Sequence, residues 1–435
     1  AWVLMGLPTS IYALGLGQVW IPVGLAIGYT ISWLLEAPRL RKFSIVANDS
    51  ITIPQYLTNR FLSKSLALQV ICAIVFLVAY TIYAASSVKA CGTLFHTVIG
   101  MDPQIAMYLA AVVIVGYTFL GGFSAVCWTD FFQGMLVLGS MFIAPIFAAF
   151  MLDTSSMSAL PGGYLNPFSS WQDIVSGLAW GLGYFGMPHI LVRFMAIEDE
   201  KKLSLSRRVA TTWVVISLAV AVLIGVVGLG MTAAGEFDLL EGSASETIIV
   251  QIANLLSQHG VIAAILAGLI LAGILASTMS TADSQLLAAS SAVSSDLLGS
   301  ILKDKETKKE SMVADKITLL LIAVVAMFIA RDPNSSVFTI VSFAWAGFGA
   351  VFGPVVLLAL FWRRSNWQGA LAGMICGGSM VFIWKYGISK LGGAWGIYEL
   401  LPAFLVAIAA NIIVSLLTKA PSKEITDEFD LVNQK

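Results

Sequence analysis

The sequence predicts an all-helical protein embedded in a lipid bilayer, and three observations carry that reading. Hydrophobic residues fill 58% of the 435 positions and charged residues only 11%, far from the balance of a soluble domain. Apolar segments long enough to cross a hydrocarbon core recur along the whole chain. Two apolar segments are also interrupted by glycine and proline, which an ordinary anchoring helix has no reason to contain.

The spans fall near 18–36, 65–93, 104–120, 125–152, 172–192, 209–234, 259–290, 313–330, 336–362, 367–389 and 395–418, preceded by a shorter apolar piece over 2–15. This gives eleven full spans and a partial one, in one domain over 1–420 followed by a short tail over 421–435. Lysine and arginine orient them by the positive-inside rule. Of the 24 basic residues, all but Lys89, Arg331, Lys385 and Lys390 fall in the first basic loop (Arg39 to Lys64), in three later ones (Arg193 to Arg208, Lys303 to Lys316, Arg363 and Arg364) or in the tail. That side is expected to be cytoplasmic, and the C-terminus with it. The four cysteines at 72, 91, 127 and 376 have neither metal-ligand spacing nor a disulfide pattern. A net charge of −1 argues against nucleic acid as a partner. The first residue is alanine and no signal peptide is visible, so the chain reads as one that opens part-way through a helix.

Polar groups inside the spans are costly and therefore informative. Residues 276–286 read Ala-Ser-Thr-Met-Ser-Thr-Ala-Asp-Ser-Gln-Leu directly after an unbroken apolar run. Ser277, Ser280, Thr281 and Ser284 recur at i, i+3, i+4 and i+7, one narrow stripe on a helix, with Asp283 at its edge. Hydroxyls in membrane helices often bond the carbonyl one turn back or join neighbouring helices. Four on one stripe beside an acid instead offer the oxygen donors that hard cations such as sodium bind. Asp130 is the other acid placed well inside a span, either bonded to backbone donors or paired with the stripe around a cation. Glu36, Asp173, Asp315 and Glu399 sit near span ends, where the interface can solvate them. Ser217, in a span without motif residues, serves as a neutral hydroxyl for comparison.

Trp180-Gly-Leu-Gly-Tyr-Phe-Gly-Met-Pro188-His189 should break its helix, because three glycines and a proline fall in eight residues. Broken backbone is tolerated at membrane depth where it lines a cavity, and transporters use such breaks to aim helix ends at a substrate. Trp180 and Tyr184 lie four apart, on one face, and could wall a small site. The opening Trp2-Val-Leu-Met-Gly-Leu-Pro8 has the character of the second half of an interrupted helix. Breaks in the first and sixth segments are corresponding positions in two five-helix units, the pattern of an inverted-repeat transporter. His96, His189 and His259 read as solvated or packed rather than as ligands.

These segments resemble the sodium/solute symporter family, and within it the proline branch. The matching stretches include Met5-Gly-Leu-Pro, Thr81-Ile-Tyr-Ala-Ala-Ser, Thr118-Phe-Leu-Gly-Gly-Phe with Trp128-Thr-Asp, and Trp180-Gly-Leu-Gly-Tyr-Phe-Gly followed by Pro-His-Ile. Met279-Ser-Thr with Ser284-Gln-Leu-Leu, Ala344-Trp-Ala-Gly-Phe-Gly-Ala and Gly369-Ala-Leu-Ala-Gly-Met complete the set. The resemblance implies the five-plus-five inverted-repeat (APC/LeuT-like) fold with flanking helices. In the family the main sodium lies between the first and eighth core helices, which here implies the Ser277 carbonyl with the Ser280 and Thr281 hydroxyls. A second cation site would use Asp130, Ser280, Ser284 and position 283, where serine is usual and this chain has Asp283. The substrate pocket would be built from Trp2, Tyr83, Trp180, Tyr184 and Pro188. The family also carries one more helix and the first half of the first core helix ahead of the residues seen here. The resemblance thus implies no enzyme but a symporter of the cell membrane, bacterial in kind, with sodium as coupling ion and L-proline as substrate. No obligate protein partner is evident. Import of another small carboxylate such as pantothenate, or a transporter-like sensor, are the alternatives; the sensor is disfavoured by a tail too short for a signalling module.

Overall fold

A computed structural model describes residues 2–63, 65–152, 160–197, 202–291, 308–332 and 336–434, with the side chains at 121–127, 291, 308–312 and 433–434 left aside. Lys64, Glu198, Lys201, Lys303, Lys305, Lys435 and the side chains of Lys308, Lys309, Cys127 and the Gly121-Gly122-Phe motif thus lie outside the described residues. Every regular element among the described residues is helical. Ten helices are long and apolar enough to cross a membrane, or eleven when one bent pair counts as a single span. We label the helices α1 Trp2–Leu14, α2 Leu16–Val46, α4 Ala67–Ile99, α5 Pro103–Leu120, α6 Trp128–Met151, and the bent pair α7 Trp171–Phe185 with α8 Pro188–Met195. Between α2 and α4 lies the short α3, Ile53–Arg60. Then follow α9 Leu203–Ala233, α10 Ile248–Ser257, α11 Val261–Ser290, α12 Val313–Ala330, α13 Val337–Phe361, α14 Trp367–Leu391, α15 Leu400–Leu417 and α16 Lys423–Gln434.

Local chemistry sets several boundaries. Asp102 accepts from the amides of Gln104 and Ile105 with Pro103 next in line, the arrangement that starts α5. Ser336 and Asn366 cap α13 and α14 through the amides of Thr339 and Gly369. Gly100, at φ +68°, closes α4 in a left-handed conformation. Pro8 does not end the opening piece: it falls in the first turn of its α-helical part, where its missing amide is harmless, and the helix runs on to Leu14.

The interior is organised around α13 and the broken segment. α13 is the most deeply buried of the long apolar helices, whereas α6 and α12 are largely uncovered. α7 and α8 meet at a 44° bend across the predicted break, with residues 180–185 wound as a 3₁₀-helix. Gly24 and Gly28 of α2 face Gly177 and Gly181 of α7 so closely that a methyl group on Gly28 would overlap the Gly181 carbonyl oxygen, and one on Gly24 that of Gly177. These are two Gly-x-x-x-Gly pairs, the spacing that lets membrane helices approach backbone to backbone. On the other side Gly183 lies against Trp345 and Gly349 of α13, and Gly186 against Gly353. The broken segment is therefore held between two glycine faces.

Two acids expected at the interface are buried instead. Glu36 is 0% exposed and accepts from Ser32 Oγ at 2.8 Å inside a π-helical turn of α2. Glu399 is 5% exposed and pairs with Lys385 at 3.2 Å. Glu399 does adjoin the start of α15, but Glu36 lies well inside α2, which runs on to Val46 rather than ending near 36; packing by neighbouring helices, which sequence position does not reveal, covers both. The tail is a docked helix rather than a free strand. Arg39 and Arg60 donate to the Leu360 and Ala359 carbonyls at the C-terminal end of α13, a favourable place for cations. Phe429 of α16 lies across both guanidinium groups, and the Arg363–Asp430 pair adds an exposed contact worth little alone.

Gly28→Ala is expected to destabilise the protein by about 1–3 kcal/mol, because no rotamer change relieves a backbone clash. Gly268→Ala, with open space at its Cβ position, should be neutral or stabilise by about 0.5–1 kcal/mol. Thermal denaturation of the two variants in detergent checks this; equal midpoints would remove the glycine seat as a constraint.

Candidate substrate and cation site

A cavity of about 390 Å³ lies where α1, α4, α6, α7, α9, α11 and α13 converge, within the range of small-molecule sites. Four of the five substrate residues expected from sequence line it: Trp2, Tyr83, Trp180 and Tyr184. Pro188 does not. It opens α8 as the first helical residue, and the wall position belongs to its neighbour His189, which sequence reasoning had set aside as packed or solvated. Ser217 also lies on the wall, so it is no neutral hydroxyl.

The aromatic residues form a continuous stack. Trp2 lies 5.1 Å from Trp180 and 6.1 Å from Phe338, while Trp180 stacks on Tyr398 at 4.9 Å. Tyr184 meets Trp345 edge-on at 5.0 Å. The Trp345 Nε1–H donates to the Trp180 carbonyl at 2.9 Å, tying α13 to the backbone of the broken segment. Phe338, at the start of α13, is fixed by its amide donating to Glu246 Oε1 at 3.0 Å. Burial pushes the Glu246 carboxyl above its usual range, opposed by the Phe338 and Val337 amides. Phe338 was legible only as an ordinary apolar residue of a span, and Trp345, though inside the Ala344-Trp-Ala-Gly-Phe-Gly-Ala stretch, was assigned no place at the site.

The hydroxyl stripe of α11 opens on the same cavity, through Ser277, Ser280 and Thr281. Thr281 Oγ1 donates to the Ser277 carbonyl at 2.8 Å, which leaves its lone pairs free to accept a cation. Ser280 Oγ donates to Asp130 Oδ1 at 2.5 Å, and Ser284 Oγ lies 3.4 Å from both Asp130 Oδ2 and Asp283 Oδ1. Asp130 is thus joined to the stripe. Asp283 is fully buried and does not face water; its Oδ2 accepts from the Tyr117 hydroxyl at 2.5 Å and its Oδ1 from the Ser284 amide. Tyr117 escaped the sequence reading because its partner sits 166 residues away. The donor set is hydroxyl, carbonyl and carboxylate oxygen, and no cluster of three or more His, Cys, Asp or Glu occurs among the described residues. Such oxygens suit a hard monovalent cation rather than zinc or copper.

The sodium:solute symporter family profile matches residues 1–377. The high-affinity proline transporter PutP of Bacillus subtilis is 40% identical over 99% of this chain and 90% of its own length. The chain belongs to the sodium:solute symporter family. Other relatives of this symporter are the osmoregulated proline transporter OpuE of Bacillus subtilis, 38% identical over 97% of this chain and 85% of its own, and the sodium/proline symporter of Haemophilus influenzae, 38% identical over 99% and 86%. Among solved structures, a substrate-bound, outward-open sodium-coupled sialic acid symporter superposes with a TM-score of 0.79 at 18% identity, covering 97% of this chain and 88% of that one. Mhp1, a nucleobase-cation-symport-1 family transporter in a closed conformation, gives 0.54 at 13% identity, covering 98% and 92%. The inverted-repeat fold expected from the two broken segments is the fold of this symporter.

Replacing Trp345 by Phe keeps the aromatic packing but removes the indole donor from the Trp180 carbonyl. The expected cost is about 0.5–1.5 kcal/mol, read as a lowered thermal midpoint; an unchanged midpoint would mean that this bond does not hold α13 to the broken segment.

Proposed function

We propose that this symporter is a secondary active transporter that couples inward sodium movement to uptake of L-proline across the cell membrane. The observation that carries this reading is the single cavity shared by an aromatic cluster and a hydroxyl stripe, with no charged side chain on its wall. Aromatic faces suit a pyrrolidine ring. An uncharged wall favours a ligand of no net charge, which a zwitterionic amino acid is and pantothenate is not. The relatives named as proline transporters support the same substrate.

Sodium would bind at the Ser277 carbonyl with the Ser280 and Thr281 hydroxyls, on the wall of the substrate cavity. Bound there, it favours a closed pocket only in so far as it binds that state more tightly. Asp130, Ser280, Ser284 and Asp283 would form a second cation site, with Asp283 oriented by Tyr117. Each sodium gains about 2.3 kcal/mol from roughly 100 mV and about 1.4 from a tenfold gradient. The sum, roughly 3.7 kcal/mol, supports a gradient of several hundredfold for a zwitterion moved with one sodium. The basic loops and the docked α16 would face the cytoplasm.

Proteoliposomes given an inward sodium gradient should accumulate labelled L-proline, lose it on addition of a sodium ionophore, and take up little with potassium. Thr281→Ala should raise the sodium needed for half-maximal uptake by about tenfold or more, whereas Thr211→Ala, whose hydroxyl bonds back to Arg207 away from the cavity, should not. Equal sodium dependence in the two variants would sink the ion assignment.

A further inference from the structure

Membrane-helix hydroxyls normally donate to a carbonyl one turn back. On α4, Thr81, Ser86 and Thr97 do so, to Leu77, Tyr83 and Thr93. Ser87 does not. Its side chain is 0% exposed and its Oγ has no hydrogen-bond partner, yet the residue lies on the wall of the central cavity. A buried hydroxyl left in that state costs free energy, and a native structure keeps one where something else meets it.

Its position narrows what that is. Ser87 stands one helical turn from Tyr83, on the same face of α4 and therefore on the aromatic side of the cavity. Other wall residues with a buried side-chain atom that has no partner are Gln133 (Oε1), Gln285 (Oε1), His189 (Nδ1) and Trp2 (Nε1). The two amide oxygens belong to α6 and α11, the helices that carry the cation-side oxygens. Trp2 Nε1 is a donor and suits a carboxylate. Among the described residues no Asp or Glu lines the cavity, so an ammonium bound there would be met by neutral oxygens. On the aromatic side, Ser87 Oγ is the fully buried oxygen without a partner.

We infer that Ser87 is a specificity-determining residue whose hydroxyl accepts a hydrogen bond from the ammonium group of the amino-acid substrate. This rests on the proposed proline-transport function and names an atom that recognises the substrate's charged nitrogen. A site built around a substrate N–H rejects an analogue that lacks it, because the site's own buried group then stays unpaired.

The test uses the full chain in nanodiscs with saturating sodium. Binding is measured for L-proline, for cyclopentanecarboxylate (no nitrogen) and for pyrrolidine (no carboxylate). Ser87→Ala should weaken proline binding about 10- to 100-fold and narrow the proline-to-cyclopentanecarboxylate ratio by a similar factor. Its sodium affinity and its proline-to-pyrrolidine ratio should stay within about twofold of wild type. Without substrate, its thermal midpoint should equal or exceed that of wild type, since an unpaired hydroxyl has been removed. Ser87→Cys, of similar shape but a weaker acceptor, should give an intermediate ratio. A lowered substrate-free midpoint with both ratios unchanged would make Ser87 structural and overturn the inference. Collapse of the pyrrolidine ratio instead would overturn the assignment to the ammonium. Wild-type protein that binds no proline would overturn the function itself, and this assignment with it.

Discussion

The seating of the broken segment between two glycine faces is the constraint on which the site depends. A helix interrupted at membrane depth exposes backbone groups that lipid cannot satisfy. Here α2 covers one side by direct backbone contact at Gly24 and Gly28, and α13 covers the other at Gly349 and Gly353. Trp345 then donates to the carbonyl of Trp180. Only because the backbone is so closely held can Trp180 and Tyr184 present their rings to the cavity in fixed positions. The glycines contribute nothing chemically to a ligand, and yet they place the groups that do.

The cavity wall combines apolar stacking with polar atoms that have no partners within the protein. Trp2, Ser87, Gln133, His189 and Gln285 line the cavity and each carry such a buried atom. Groups of this kind destabilise a protein unless a ligand or ordered water meets them. Their concentration around one cavity, next to hydroxyls already arranged around Asp130, supports the proposed site for a small polar solute and a cation. Ser277, Ser280 and Thr281 share that cavity with Trp2, Trp180 and Tyr184, the juxtaposition that the proposed coupling requires.

At the opposite end the basic residues have a structural role besides their topological one. Arg39 and Arg60 close the last turn of α13 and are covered by Phe429 of α16. Burial lowers the affinity of Arg60 for its proton, opposed by nearby Tyr56 and Glu428. Residues counted from the sequence only for their charge thus bind the tail to the central helix.

Much of this was legible in the sequence because the bilayer restricts what a chain can do. The number of spans, most of their limits to within a few residues, the break at Gly181–Pro188 and the hydroxyl stripe all follow from local composition and helical period, although α2 runs on to Val46 rather than ending near 36. The stripe's partner Asp130 was visible as an acid where acids are expensive. What only tertiary structure decided were long-range juxtapositions: Tyr117 on Asp283, Phe338 over Trp2, His189 rather than Pro188 on the wall, and Ser87 withheld from its own helix. Glu36 shows the physical reason most directly. The sequence put it at the end of a span that in fact continues to Val46, and its burial depends on which helices pack over it; packing between distant segments leaves no periodic trace in the chain.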